Sequence, residues 1–191
     1  AQTVTVTGVD DNIIDGTISS TITVAINDGS SDNNFDPIDN QTVSVSTTDN
    51  DTAGFTITET GGSTSVSESG TTDTFTIVLD AQPAENVVLT ITSGDTGETT
   101  VNSPLTFTPA NWDTTQTVTV TGVDDNIIDG TITSTITIAV VGAASDDNFD
   151  SVNDQTVSAT TTDDDTAGFT IAQSGGSTSV SEDGTTDTFT I

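Results

Sequence analysis

The chain has 191 residues, 30 of them Asp or Glu, and no Lys, Arg or His, so its formal charge is −30. Nucleic acids and anionic membrane surfaces are recognised through Lys and Arg, which excludes both as partners, and no side chain can offer a salt bridge. The absence of Cys excludes disulfides, no apolar run approaches the ~20 residues of a membrane span, and the missing His, Cys, Lys and Tyr leave an enzyme without its usual nucleophiles and bases.

High charge with low hydrophobicity is also the signature of disorder. Here, however, Val, Ile and Phe alternate with Thr in many short segments, and a disordered tail would not keep that period of two. The first such segment opens the chain. "VTVTGVDDNIIDGT" at 4–17 is an alternating strand pattern that runs into two adjacent aspartates, with a third four residues on. The same fourteen residues return at 118–131. Residues 1–77 align on 115–191 without a gap at a constant offset of 114, and 57 of the 77 pairs are identical. Differences cluster at 26–30 and 37–40, as surface loops would. A unit of this length is a domain, not a solenoid turn. The chain therefore reads as a window on a longer tandem array. Residues 1–51 are the C-terminal part of one repeat, 52–165 a complete repeat, and 166–191 the N-terminal part of the next.

Within the complete repeat the pattern predicts strands at 53–58, 63–67, 72–79, 86–92, 104–108, 116–121, 132–141 and 155–161. Short, regularly spaced strands with no helical period predict an antiparallel sandwich. Its inward set is Phe55, Ile57, Phe75, Ile77, Leu79, Leu89, Ile91, Leu105, Phe107, Val118, Val120, Ile136, Ile138 and Val157. Trp112, the only Trp, reads as a plug over one end, and Phe149 in "DDNFD" as a loop anchor.

The acidic residues sit where strands end. Glu68 lies in "SVSESGT", Asp95 in "TSGDTGE", Asp124, Asp125 and Asp129 in "GVDDNIIDG", and Asp163, Asp164 and Asp165 in the "DDD" before "TAGFTI". Adjacent aspartates point to opposite faces of a regular strand, but past a strand end they can converge. The alternative is a set of solvated acidic loops. Oxygen-only ligation suits Ca²⁺ or Mg²⁺ rather than Zn²⁺ or Cu²⁺, and with no cationic side chain the counter-charge must come from solution.

"DDDTAGFTI", the Glu of "SVSESGT" and "GVDDNIID", in this order and spacing, resemble the Calx-beta module. "LTFTPANWDTTQTVTVTGVDDNIIDG" is similar to the tandem versions in large bacterial surface proteins. The resemblance implies an all-β chain of tandem antiparallel Greek-key, Ig-like sandwiches, each of seven strands, with Ca²⁺ held by loops at one tip. Carried over by position, the ligands would be Glu68, Asp95, Asp124, Asp125, Asp129 and Asp163–Asp165, with the Ile127 carbonyl as a further candidate. In the preceding part they would be Asp10, Asp11, Asp15, Asp49 and Asp51, with Asn50 in place of the middle Asp. Glu182 would belong to the following site. The family's exchanger members are more acidic where this chain has "NIID", which leaves the number of ions open.

The expected function is a calcium-stiffened structural repeat of a long extracellular adhesin, matrix protein or surface filament. Its partners would be neighbouring repeats of the same chain and, in a filament, other copies. The alternatives are a calcium-dependent adhesive or glycan-binding module using the loops at 26–40 and 140–154, and a self-assembling fibre subunit. A calcium sensor is disfavoured, because a sensor rarely needs near-identical consecutive copies.

Overall fold

A computed structural model describes residues 1–191. Its strands, in chain order, are β1 (Ile18–Val24), β2 (Gln41–Thr47), β3 (Phe55–Glu59), β4 (Thr64–Ser67), β5 (Thr72–Leu79), β6 (Val87–Ser93), β7 (Thr99–Val101), β8 (Leu105–Phe107), β9 (Gln116–Gly122), β10 (Ile132–Val140), β11 (Gln155–Thr162), β12 (Ala172–Gln173) and β13 (Phe189–Thr190). Helix is confined to single 3-10 turns. Strands β3 to β11 form two sheets, ordered β3-β5-β9-β7 and β4-β11-β10-β6-β8. Successive strands from β3 to β10 alternate between the sheets, so most hydrogen-bonded neighbours are non-consecutive, as in a Greek key.

The register explains why the alternation works. Phe75 on β5 stands opposite Val118 on β9, and Ile138 on β10 opposite Ile91 on β6. Each sheet thus turns one apolar face to the other. Thirteen of the fourteen predicted inward residues are buried, and the remaining one, Ile57, is half-buried against the same cluster. Phe75 and Phe107 are fully enclosed. Burying a side chain of this size stabilises a fold by about 1.5–3 kcal/mol. Phe149, set by a 3-10 turn, is also fully buried, and Trp112 packs half-buried on the core with its carbonyl accepting from the Leu79 N–H at 3.2 Å. Amide side chains make ties that ion pairs cannot. Gln155 Nε2 on β11 donates to the Phe55 carbonyl of the opposite sheet at 2.6 Å.

Two features depart from expectation. β7 was not predicted: three residues with a single alternation, TTV, are too short to show a period, and its pairing with β9 supplies the signal. It makes nine strands, against eight read from the alternation and seven implied by the resemblance, and two of the nine are only three residues long. β4 also pairs in parallel with β11, Thr64 opposite Ala159 through Ser67 opposite Thr162, because β4 is an edge strand reached by crossing from the other sheet.

Outside this sandwich lie the hairpin β1–β2 and the short pair β12–β13. Residues 2–8 form no strand, although they match β9 residue for residue.

Candidate metal centre

Four chain segments meet at one end of the sandwich. At the end of β4 the Glu68 N–H donates to the Thr162 carbonyl of β11 at 3.1 Å, and Gly70, at φ 80°, closes the turn into β5. Gly122 ends β9 directly against this turn. A Cβ there would collide with the Ser67 carbonyl oxygen, so only glycine lets the "DDNIID" loop leave β9 beside Glu68. The Val123 N–H donates to the Glu98 carbonyl at 2.9 Å, which brings in the segment ahead of β7. Asp163, just past β11, accepts the Gly130 N–H at 2.9 Å and the Asp165 N–H at 2.7 Å through separate oxygens. These bonds hold its carboxyl below the usual range and fasten the linker to the loop.

The result is two overlapping carboxylate groups. Oxygens of Glu68, Asp125 and Asp165 lie within 4.8 Å of one another, as do those of Glu68, Glu98 and Asp129. Glu68 belongs to both. Bonds of ~2.3–2.6 Å to Ca²⁺ allow one ion to span oxygens separated by this much. Asp124 and Asp164 line a cleft beside them, together with Glu68 and Gly122.

The electrostatics are uncompensated. Glu68 and Glu98 are only 1 % and 5 % exposed. Of the buried side-chain oxygens that find no hydrogen-bond partner, three belong to this cluster: Glu68 Oε2, Glu98 Oε2 and Asp165 Oδ2; the fourth is Ser134 Oγ on β10. Burial pushes the Glu68 carboxyl up, against a backbone bond from Asp164, and the Asp163, Asp125 and Asp129 charges push it further. Burial also raises Glu98, reinforced by Asp129 and Asp95, and Asp165, reinforced by Asp163 and Asp164. An isolated carboxylate is costly to bury, and here like charges surround it. A divalent cation would satisfy the free oxygens and reverse the repulsion.

The other expected ligands are placed differently. Asp95 is exposed, with Oδ1 accepting the Gly97 N–H at 3.0 Å, and it joins neither group. Glu98, three residues on, is the residue that sequence reasoning passed over; it stands just ahead of β7, which is too short to be read from the sequence and so left no signal to find it. Ile127 donates its N–H to Asp125 Oδ1 at 2.6 Å, and its side chain is exposed. Asp10, Asp11, Asp15, Asp49 and Asp51 line one open groove with Asn50. There Asp49 repeats the role of Asp163, accepting from Gly16 and Asp51 at 2.8 Å each. Burial and the Asp49, Asp10 and Asp11 charges raise Asp51, as their counterparts do Asp165. Glu182 is exposed and joins no group.

No protein-family model matches the sequence, and no curated protein matches it. Among solved structures, the apo form of the Calx CBD1 domain is 14 % identical at a TM-score of 0.41, covering 58 % of this chain and 98 % of that domain. CBD12 from CALX1.2 is 15 % identical at 0.37, with 62 % of this chain and 47 % of that one covered. Domains 4 and 5 of the S-layer protein SbsC are 20 % identical at 0.42, with 75 % and 57 % covered. This chain spans about half the length of the latter two. Likenesses this slight add nothing about the site, which stands on the chain's own geometry.

Proposed function

We propose that the chain is a calcium-stiffened stretch of a tandem array of β-sandwiches, an extracellular structural element rather than a catalyst. Residues 52–165 would be one whole repeat, and 1–51 and 166–191 parts of its neighbours. The observation that carries the reading is the set of three buried, unpartnered carboxylate oxygens, on Glu68, Glu98 and Asp165, in a chain without a cationic side chain. The two groups sharing Glu68 suggest two ions per junction. One would be held by Glu68, Asp125 and Asp165, the other by Glu68, Glu98 and Asp129, with Asp124 and Asp164 beside them. Shared, irregular, carboxylate-rich shells suit Ca²⁺ better than the octahedral demands of Mg²⁺.

The mechanism is mechanical. Asp163 already fastens the linker to the loop, and ions on Asp165 would lock it, so that neighbouring repeats keep a fixed angle while calcium is present. Ligand binding to the folded state at a hundred times Kd stabilises it by about 2.7 kcal/mol. Thermal unfolding should therefore show a midpoint several degrees higher in millimolar Ca²⁺ than in chelator, and Glu68→Gln should abolish most of that difference. Equal midpoints in calcium and in excess chelator would overturn the calcium reading.

A further inference from the structure

The "NII" segment inside the acidic loop is docked on the sandwich in one copy and largely exposed in the other. Near the N-terminus, Ile13 forms a parallel bridge with Gln82. The Gln82 N–H donates to the Asn12 carbonyl at 2.7 Å, and Asn148 Nδ2 donates to the Ile14 carbonyl at 3.3 Å. Ile14 packs against the sandwich core. The receiving surface is firmly built. Asp146, 5 % exposed, accepts the Ala84, Glu85 and Asn148 N–H groups at 2.6, 3.1 and 3.0 Å, which fixes the loop after Gln82 against Asn148.

In the second copy the same residues, Asn126, Ile127 and Ile128, stand free: Ile127 is 62 % and Ile128 57 % exposed. The loop nevertheless shares the ends of its turn with the docked copy, although the Asp15 N–H to Ile13 carbonyl bond of 2.9 Å is made in the docked copy alone. Ile13 donates to Asp11 at 2.9 Å and Ile127 to Asp125 at 2.6 Å, and Gly16 and Gly130 both carry positive φ, at 69° and 78°. Two adjacent exposed isoleucines on a preformed loop are an unpartnered surface whose occupant this chain itself displays.

We propose that Asn126–Ile128 is a peg, and that its socket is the Gln82–Asn148 face of a further copy of the 114-residue unit. The coupling of this peg to calcium rests on the proposed metal centre, since Asp125 and Asp129 flank the peg and belong to the two carboxylate groups. The docking itself does not depend on it. Each junction would then have two parts: ions that stiffen the base of the loop, and a peg of backbone hydrogen bonds and isoleucine burial that seats it.

The chain has no Cys, so an introduced pair reports cleanly. Ile13→Cys with Gln82→Cys tests the observed contact in the 191-residue chain. Ile127→Cys, with Cys at the copy of Gln82, tests the proposed one in a chain lengthened by a second copy of residues 78–191, which continues the repeat because Ile191 matches Ile77. Both pairs should oxidise to an intramolecular disulfide in calcium. Ile128→Asp should slow the second pair at least tenfold and leave the first unchanged; Ile14→Asp should do the reverse. Trp112 fluorescence verifies that each variant is folded. Failure of the second pair in calcium while the first oxidises overturns the peg, as does failure of both. Oxidation at equal rates in calcium and in chelator keeps the peg and overturns its coupling to calcium.

Discussion

Residues 2–8 and 116–122 are the same seven amino acids, QTVTVTG, in two different structures. At 116–122 they form β9 between β5 and β7, and Val118 and Val120 are completely buried. At 2–8 they form no strand, and Val4 and Val6 are 78 % and 50 % exposed. What separates them is pairing: β5 and β7 flank the second copy, whereas the first is hydrogen-bonded into no sheet. A few residues further on, the two copies share their side-chain bonds: the Asp11 and Asp125 turns and the Asp49 and Asp163 clasps are the same. QTVTVTG is thus a strand where neighbouring strands pair with it, while the Asp–Ile turn bond of the acidic loop is local.

The largest test of that contrast uses the core. Phe75→Ala should destabilise the sandwich by about 3–5 kcal/mol in denaturant unfolding. Its counterpart Phe189, 54 % exposed, should tolerate Ala within about 0.5 kcal/mol. Equal costs would mean that residues 166–191 pack in solution as the complete repeat does.

Asp146→Ala should come next, at about 2–3 kcal/mol, because three backbone donors lose a charged acceptor. Asp32→Ala, at an exposed position that bonds only Asn34, should be nearly neutral. The pH dependence has a defined sign. Burial pushes the Asp146 carboxyl up, but its backbone bonds outweigh that and hold it below the usual range. Its stabilisation is therefore complete above the usual carboxylate range and is lost as pH falls through the lowered value. Asp146→Asn should flatten that part of the acid-unfolding curve.

Gly122→Ala should cost about 1–3 kcal/mol by forcing β9 away from the Ser67 carbonyl, and should weaken calcium binding by displacing the loop. Gly8→Ala meets only the Thr47 methyl at 3.7 Å and should change neither quantity. The smallest effect is expected where the two loops differ in charge. Asp164→Asn should weaken calcium binding a few-fold in a calorimetric titration, by removing one exposed carboxylate beside Glu68. Asn50→Asp should add no site, because its groove is lined by no buried carboxylates such as Glu68 and Glu98. Tight binding gained at Asp10, Asp11 and Asp51 would show that the loop suffices without them.

Alternation of Val, Ile and Phe with Thr was enough to place eight of the nine sandwich strands and nearly the whole core, because a period of two fixes which side chains share a face. The repeat of 114 was likewise explicit in the sequence. So was the neighbourhood of the site, since acidic residues at strand ends gather wherever those ends gather. Membership of the site was a different matter. Asp95 and Glu98 are three residues apart in one loop, and the sequence favours Asp95 as the one next to a strand end. The hydrogen bond from Val123 to the Glu98 carbonyl and the pairing of β7 with β9 turn Glu98 inward instead. Asp163 reads as a ligand in a "DDD" run, and the structure adds a role the run does not show, since two backbone N–H groups reach its carboxylate and clasp the linker to the loop.

The sequence by itself determined the repeat, the two faces of each alternating segment and the turn chemistry of the acidic loop, because these depend on contacts within a few residues or on a period that survives copying. Only the tertiary structure decided which carboxylates are buried together and which copy of QTVTVTG becomes a strand. Both depend on neighbours far along the chain, and a buried carboxylate or an unpaired strand is defined by what surrounds it.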